Sequence, residues 1–184
     1  LSGKGDFAHF AALPHVKTVK RIALTLLAAV PVAASCFELA LSQPEFHLSV
    51  PGLPAAELHE DTHPSVVPKR VLTGAVGKLD IELELSAQAS QASPRTCAGS
   101  LLRALVAKPG MPNRDSIYRA PLDESTFLVI YALGEGPTQR LHAHVISSAG
   151  PTHCANAHFV RPALPGEDID DWRTTFTSAR VVPR

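Results

Sequence analysis

Between Leu79 and Leu85 every second residue is a large aliphatic one, Leu79, Ile81, Leu83 and Leu85, and the residues between them are Asp80, Glu82 and Glu84. Successive side chains on a strand point to opposite faces, so this period of two predicts a β-strand with one dry and one wet face. A strand needs a hydrogen-bonding neighbour. Val71 to Val76 supplies one through the short turn Gly77-Lys78, which makes a hairpin. The polar run from Ser86 to Arg95 follows as a loop.

Further along, Thr96 is placed to cap a helix from Cys97 onward. Leu101, Leu102, Leu105 and Val106 fall on one helical stripe, and Pro109-Gly110 stops it, with a strand as the alternative reading. Phe127 to Leu133 is a continuous apolar run, Gly134-Glu135-Gly136-Pro137 turns, and Thr138 to Ser147 alternates, predicting a second hairpin. His153 to Val160 adds a strand. After Pro162 to Gly166, the acidic residues Asp168, Asp170 and Asp171 lead into WRTTFTSARVV, whose Thr and Val content favours a closing strand, although an acidic entry also suits a helical turn. The fold class expected is α+β: an antiparallel sheet of about five or six strands with one or two short helices. It is built as a single globular domain over residues 70–184.

Ahead of that domain, residues 36–69 are rich in Pro and His. Five prolines between Pro44 and Pro68 interrupt any long regular element, so the segment reads as a tether, with Phe46 to Val50 a short strand within it. The composition, 45% hydrophobic and 18% charged, is that of a globular chain rather than a disordered one. Charge is unevenly placed. Four of the 17 basic residues and one of the 17 acidic residues lie in 1–35, which leaves the body mildly acidic. A body of that sign lacks the basic footprint that nucleic-acid binding requires, so no nucleic-acid partner is expected.

The basic residues Lys17, Lys20 and Arg21 precede the apolar run from Ile22 to Ala34, and small residues follow. This is the order of a secretory signal: positive charge orients the segment, a short apolar helix inserts, and small residues fit a peptidase groove. The run is shorter than the roughly 20 residues a membrane span needs, and Pro31 breaks it further. Residues 1–15 sit ahead of this signal and read as an over-extended start, with Val16 as the initiation point. Val32-Ala33-Ala34-Ser35-Cys36 resembles the lipobox of bacterial exported lipoproteins, departing from it at Ala33, where a larger aliphatic residue is usual. The resemblance covers this segment alone. It implies that Cys36 becomes the lipidated first residue of a periplasmic protein held to a membrane by its lipid. Ordinary cleavage after Ala34 or Ser35 fits the same residues.

Exported domains keep disulfides that the cytosol would reduce. With Cys36 set aside for lipid, Cys97 and Cys154 remain as a pair, and a bridge closing that interval would contribute about 4 kcal/mol in the chain-entropy account. Two unrelated buried thiols are the alternative. Cys97 at a helix start also has the placement of an activated thiol, with His153 or His158 as its base.

The histidines hold the most suggestive chemistry. His142 and His144 are two apart on an expected strand and share a face. With His153 or His158 as a third ligand, they form the kind of pair a zinc or copper site uses. The same alternation also fits Leu141, Ala143 and Val145 turned inward with both histidines in water. His59, Glu60, Asp61 and His63 form a polar knot that reads best as a solvated loop. The acidic run Asp168 to Asp171 lacks the spacing of a calcium loop. Trp172 and Phe176 are candidate interface anchors, or else residues that close the core. No Gly-x-Ser-x-Gly, phosphate loop or dinucleotide fingerprint occurs in the sequence.

The function expected from these features is that of a small exported lipoprotein acting as a non-enzymatic binding module for another envelope or exported protein, in the general manner of inhibitors, immunity proteins or assembly accessories. It needs no cofactor. The alternatives are a periplasmic zinc- or copper-binding protein using the histidines, and a structural envelope component.

Overall fold

The computed structural model describes residues 36–42, 45–61, 69–87 and 93–181. The segment read as an export signal lies outside the described residues, as does His63. The elements run β1 (Cys36–Ser42), β2 (Glu45–Pro51), β3 (Leu58–Asp61), β4 (Lys69–Val76), β5 (Leu79–Ala87), α1 (Pro94–Val106), β6 (Tyr118–Pro121), β7 (Thr126–Leu133), β8 (Arg140–Ser148), β9 (His153–Pro162), α2 (Ile169–Phe176) and β10 (Arg180–Val181). All strand pairings are antiparallel. One sheet has seven strands in the order β3-β4-β5-β9-β8-β7-β6, and a smaller one has three, β1-β2-β10. The α+β class is as expected.

The alternation in β5 sets the layers. Leu79, Ile81, Leu83 and Leu85 are all buried, and they face a core that also holds Phe37, Leu48 and Val50 from the small sheet and Trp172 and Phe176 from α2. Phe37 meets Phe159 edge to face at 5.7 Å. Full burial of a side chain of this size contributes about 1.5–3 kcal/mol, so this face of the large sheet is the main source of stability. The opposite face carries a second, smaller core under α1, where Cys97, Ala98 and Leu105 pack on Val129, Tyr131 and Ile146.

Three expectations need correction. Within the segment read as a tether, the described residues 36–42 and 45–61 are built into the fold: they supply β1, β2 and β3, and Phe37, Phe46, Leu48 and Val50 are buried. Among the described residues, Pro51 closes β2 rather than preventing it, and Pro54 falls in the irregular stretch before β3. The strand number is accordingly higher than expected, ten among the described residues. Third, WRTTFTSARVV does not open as a strand. Asp168 accepts from the backbone N–H of Asp170 and Asp171 at 2.8 and 3.1 Å, and Asp171 accepts from the N–H of Asp168. This reciprocal capping starts α2, and Trp172 and Phe176, four apart, bury one face of it. The cap and the aromatic pair outweigh the strand preference of the threonines.

The other helix begins earlier than the sequence predicts. Ser93, not Thr96, is the cap, accepting from the N–H of Thr96 at 3.1 Å, and Pro94 occupies the first turn, where its missing N–H is no loss. The β4–β5 hairpin turns through Gly77, whose φ of 59° suits glycine,.

Candidate functional site

Strand parity decides which side chains meet. On β8, Leu141, Ala143 and Val145 turn into the main core, while His142 and His144 turn to the α1 face. There His144 lies beside His158 of β9 and Val129 of β7, and His142 lies beside Tyr131 of β7. The expectation of histidines in open water fails for His144, which is 3% exposed. Four rings stack in a ladder: Tyr131 on His142 at 4.9 Å, His142 on His158 at 5.2 Å and His144 on His158 at 4.2 Å between centroids.

The hydrogen bonds fix the protons. His144 Nδ1 is 2.8 Å from Asn156 Oδ1, which can only accept, so Nδ1 carries the hydrogen,. His144 Nε2 then accepts from the Tyr131 hydroxyl at 3.1 Å. His142 Nδ1 and His158 Nε2 share a bond of 2.9 Å, which leaves His142 Nε2 buried with no partner. Burial pulls His142 down to about 4, helped by His158, whose own protonation would repel a second proton, and by the neighbouring Arg140 cation. Burial and Arg140 pull His158 down to about 4 against the opposing pull of Glu84. Burial first, then His158, holds His144 well below the usual imidazole range, and burial pushes the Tyr131 phenol up to about 12. The ladder is therefore a neutral, hydrogen-bonded array at pH 7.

His153 does not join it. It sits five residues before His158 on β9, an odd separation that turns it to the other face, and its ring bonds Thr152 Oγ1 at 3.1 Å. Among the described residues no group of three or more His, Cys, Asp or Glu side chains is arranged to hold a metal ion. Cys97 and Cys154 form a disulfide that ties the first turn of α1 to the start of β9, so Cys97 is not a free nucleophile. In the polar knot, Glu60 forms a salt bridge with Arg70 at 2.7 Å. Trp172 and Phe176 are 4% and 1% exposed. As built into the core they cannot anchor an interface, and Trp172 instead lies under the Arg161 guanidinium at 5.1 Å. Cys36 opens β1 opposite Pro51 as a free thiol, with Sγ 3.2 Å from Ser49 Oγ.

A separate concavity lies on the α1 side of the sheet, away from the ladder. A groove of about 700 Å³ runs between the N-terminal half of α1 and the β6–β7 edge of the sheet. Its apolar lining includes Pro94, Ala98, Leu102 and Phe127, and three arginines line it as well: Arg95 from α1, Arg114 from the short 3-10 turn Arg114–Ser116 and Arg119 from β6. A cleft of this size with an apolar lining and a few convergent polar groups is the usual form of a binding site.

Sequence reasoning missed Tyr131, Asn156 and these three arginines. Tyr131 carried a weak signal, a hydroxyl inside the apolar run Phe127 to Leu133. Only the strand register brings it to the histidines. The arginines carried none, because they are separated by up to 24 positions and are brought together by the packing of α1 on the sheet.

No protein-family model matches the chain, and no curated protein does. A solved structure from Bacteroides thetaiotaomicron VPI-5482 is similar at 10% identity with a TM-score of 0.40, over 82% of this chain and 49% of that one. The chain thus spans about half the length of that structure's chain.

Proposed function

We propose that this is an exported protein, lipid-anchored at Cys36, that acts in the cell envelope by binding another envelope or exported protein rather than by catalysis. The observation that carries the reading is the open groove between α1 and the β6–β7 edge, which combines an apolar lining with charged side chains in the manner of a partner-binding surface. The test is a photo-crosslinking side chain placed at Glu124, on the groove, and at Lys78, in the β4–β5 turn, in bacteria making the protein. A discrete adduct from position 124 alone, on a mature chain that mass spectrometry shows lipidated at Cys36, is the expected result. Equal adducts from both positions, or none, count against a binding module and leave a structural envelope component as the better reading.

A second reading rests on the unpartnered, buried Nε2 of His142. If the His142–His158 bond opened, His142, His144 and His158 would offer imidazole nitrogens to zinc or copper. This reading expects stoichiometric metal in protein isolated from the envelope, lost in the double variant His142→Ala, His144→Ala.

A further inference from the structure

Nine arginines lie among the described residues. Five are in ion pairs: Arg70 with Glu60, Arg140 with Asp80, Arg161 with Glu167, Arg173 with Asp170 and Arg180 with Asp123. A sixth, Arg103, bonds Ser100. The remaining three are Arg95, Arg114 and Arg119, and all three line the one groove. Among the described residues none of them has an ion-pair partner or a side-chain hydrogen bond.

The two carboxylates on the same groove do not neutralise them. Asp123 accepts from the Ser125 N–H and hydroxyl, both at 2.8 Å, and faces Arg180 at 3.5 Å. Glu124 is the one lining carboxylate left uncommitted. A guanidinium presents a planar fork that matches a carboxylate bidentately, and three such forks along an open cleft are a general means of recognising acidic segments. The apolar lining, from Pro94 and Ala98 through Leu102 to Phe127, gives a bare anion nothing to contact. It suits the apolar side chains of a peptide.

The β6 edge argues for side-chain recognition over simple strand addition. Leu122 donates to the carbonyl of Thr126 at 2.9 Å, so the antiparallel alternation turns Ala120 and Tyr118 toward β7 and leaves Arg119 with an outward N–H and C=O. Pro121 then offers no donor, which blunts this edge as a template for a full strand.

We infer that the groove recognises an acidic segment of a partner protein, in which carboxylates pair with Arg95, Arg114 and Arg119 and interspersed apolar residues pack along α1. The inference rests on the binding-module reading and narrows it. It is tested by fluorescence anisotropy on the full mature protein with a panel of short labelled peptides in which Glu, Lys or Ser alternates with Leu or Phe. The expected result is selective binding of the Glu peptides, weakening steeply as salt is raised. The double reversal Arg95→Glu, Arg119→Glu should lose roughly tenfold or more in affinity for them and gain affinity for the Lys peptides, while Arg103→Glu, outside the groove, leaves binding unchanged. Equal binding of Glu and Lys peptides, an equal loss in Arg103→Glu, or displacement of the Glu peptide by equimolar inorganic phosphate overturns the inference. Crosslinking from position 124 separates the two claims. An adduct that survives the double reversal keeps the binding module and removes the acidic partner, and no adduct from the unsubstituted groove removes both.

Discussion

His142 Nδ1 stands 2.9 Å from His158 Nε2, and the hydrogen bond between them leaves His142 Nε2 facing nothing. Whichever ring donates, the bond between them holds only while at least one ring is neutral, because a proton on each would leave no acceptor and place two cations in stacked contact,. Arg140 lies near both rings and Lys108 near His144 and His158, and Glu84 near His158 opposes them.

The first prediction is therefore acid lability. His142 and His158 fall from the usual 6.5 to about 4 in the folded protein, so between those values the unfolded chain binds more protons than the folded one. Their contribution to stability is complete above about pH 6.5 and is lost as pH falls toward 4. Urea unfolding followed across that window should show a falling midpoint, and the double variant His142→Gln, His158→Gln should flatten the fall. A wild-type midpoint that is level from pH 7 to 4 would contradict the ladder.

Reduction should act locally before it acts globally. The Cys97–Cys154 bridge fastens α1 to β9 over the smaller core, while the larger core is closed by the small sheet and α2. Replacing both cysteines by Ser should lower stability by about 2–5 kcal/mol. Hydrogen exchange should show α1 amides losing protection well ahead of those in β5 and β8; uniform loss across all of them would count against a separable α1 layer.

Gly74 is a test of close approach. A Cβ there would meet the Glu57 carbonyl oxygen at 2.5 Å and Leu58 Cδ2 at 2.6 Å. Gly74→Ala should displace β3 from β4 while leaving the β4–β5 hairpin paired, seen as faster exchange confined to residues 58–61. A variant as protected there as wild type would show that β3 has room to yield.

Asp168→Ala removes both backbone bonds that begin α2. The expected loss is about 0.5–2 kcal/mol, measured by denaturant unfolding, and Asp168→Asn should recover most of it. An Asn variant as weak as the Ala variant would mean that charge near the helix start, and not the cap itself, is what matters.

Much of the large sheet is legible in the sequence because its pattern is local: the alternation in β5, the apolar run of β7 and the turns beside them need no knowledge of partners. The segment 36–69 is not. Its prolines are audible and its buried residues, Phe37, Leu39, Phe46, Leu48 and Val50, are spread over two short strands whose periodicity only registers once they are paired. The closing helix was hidden for a different reason, since Thr174, Thr175 and Thr177 favour strands individually and the capping bonds of Asp168 and Asp171 are collective. At the site, the pairing of His142 with His144 is visible as spacing. Their neutral state is not, because it depends first on burial under α1 and then on His158 arriving from another strand.

Cys36 is the first residue of β1 and is locked opposite Pro51. Were a lipid attached there, as proposed, the protein would have no leash. A flexible linker lets a domain sweep out a volume and meet partners at some distance, whereas a strand that begins at the anchor fixes its height and tilt to within the play of a few bonds. Such a protein would wait at the bilayer surface for whatever comes within arm's length of it.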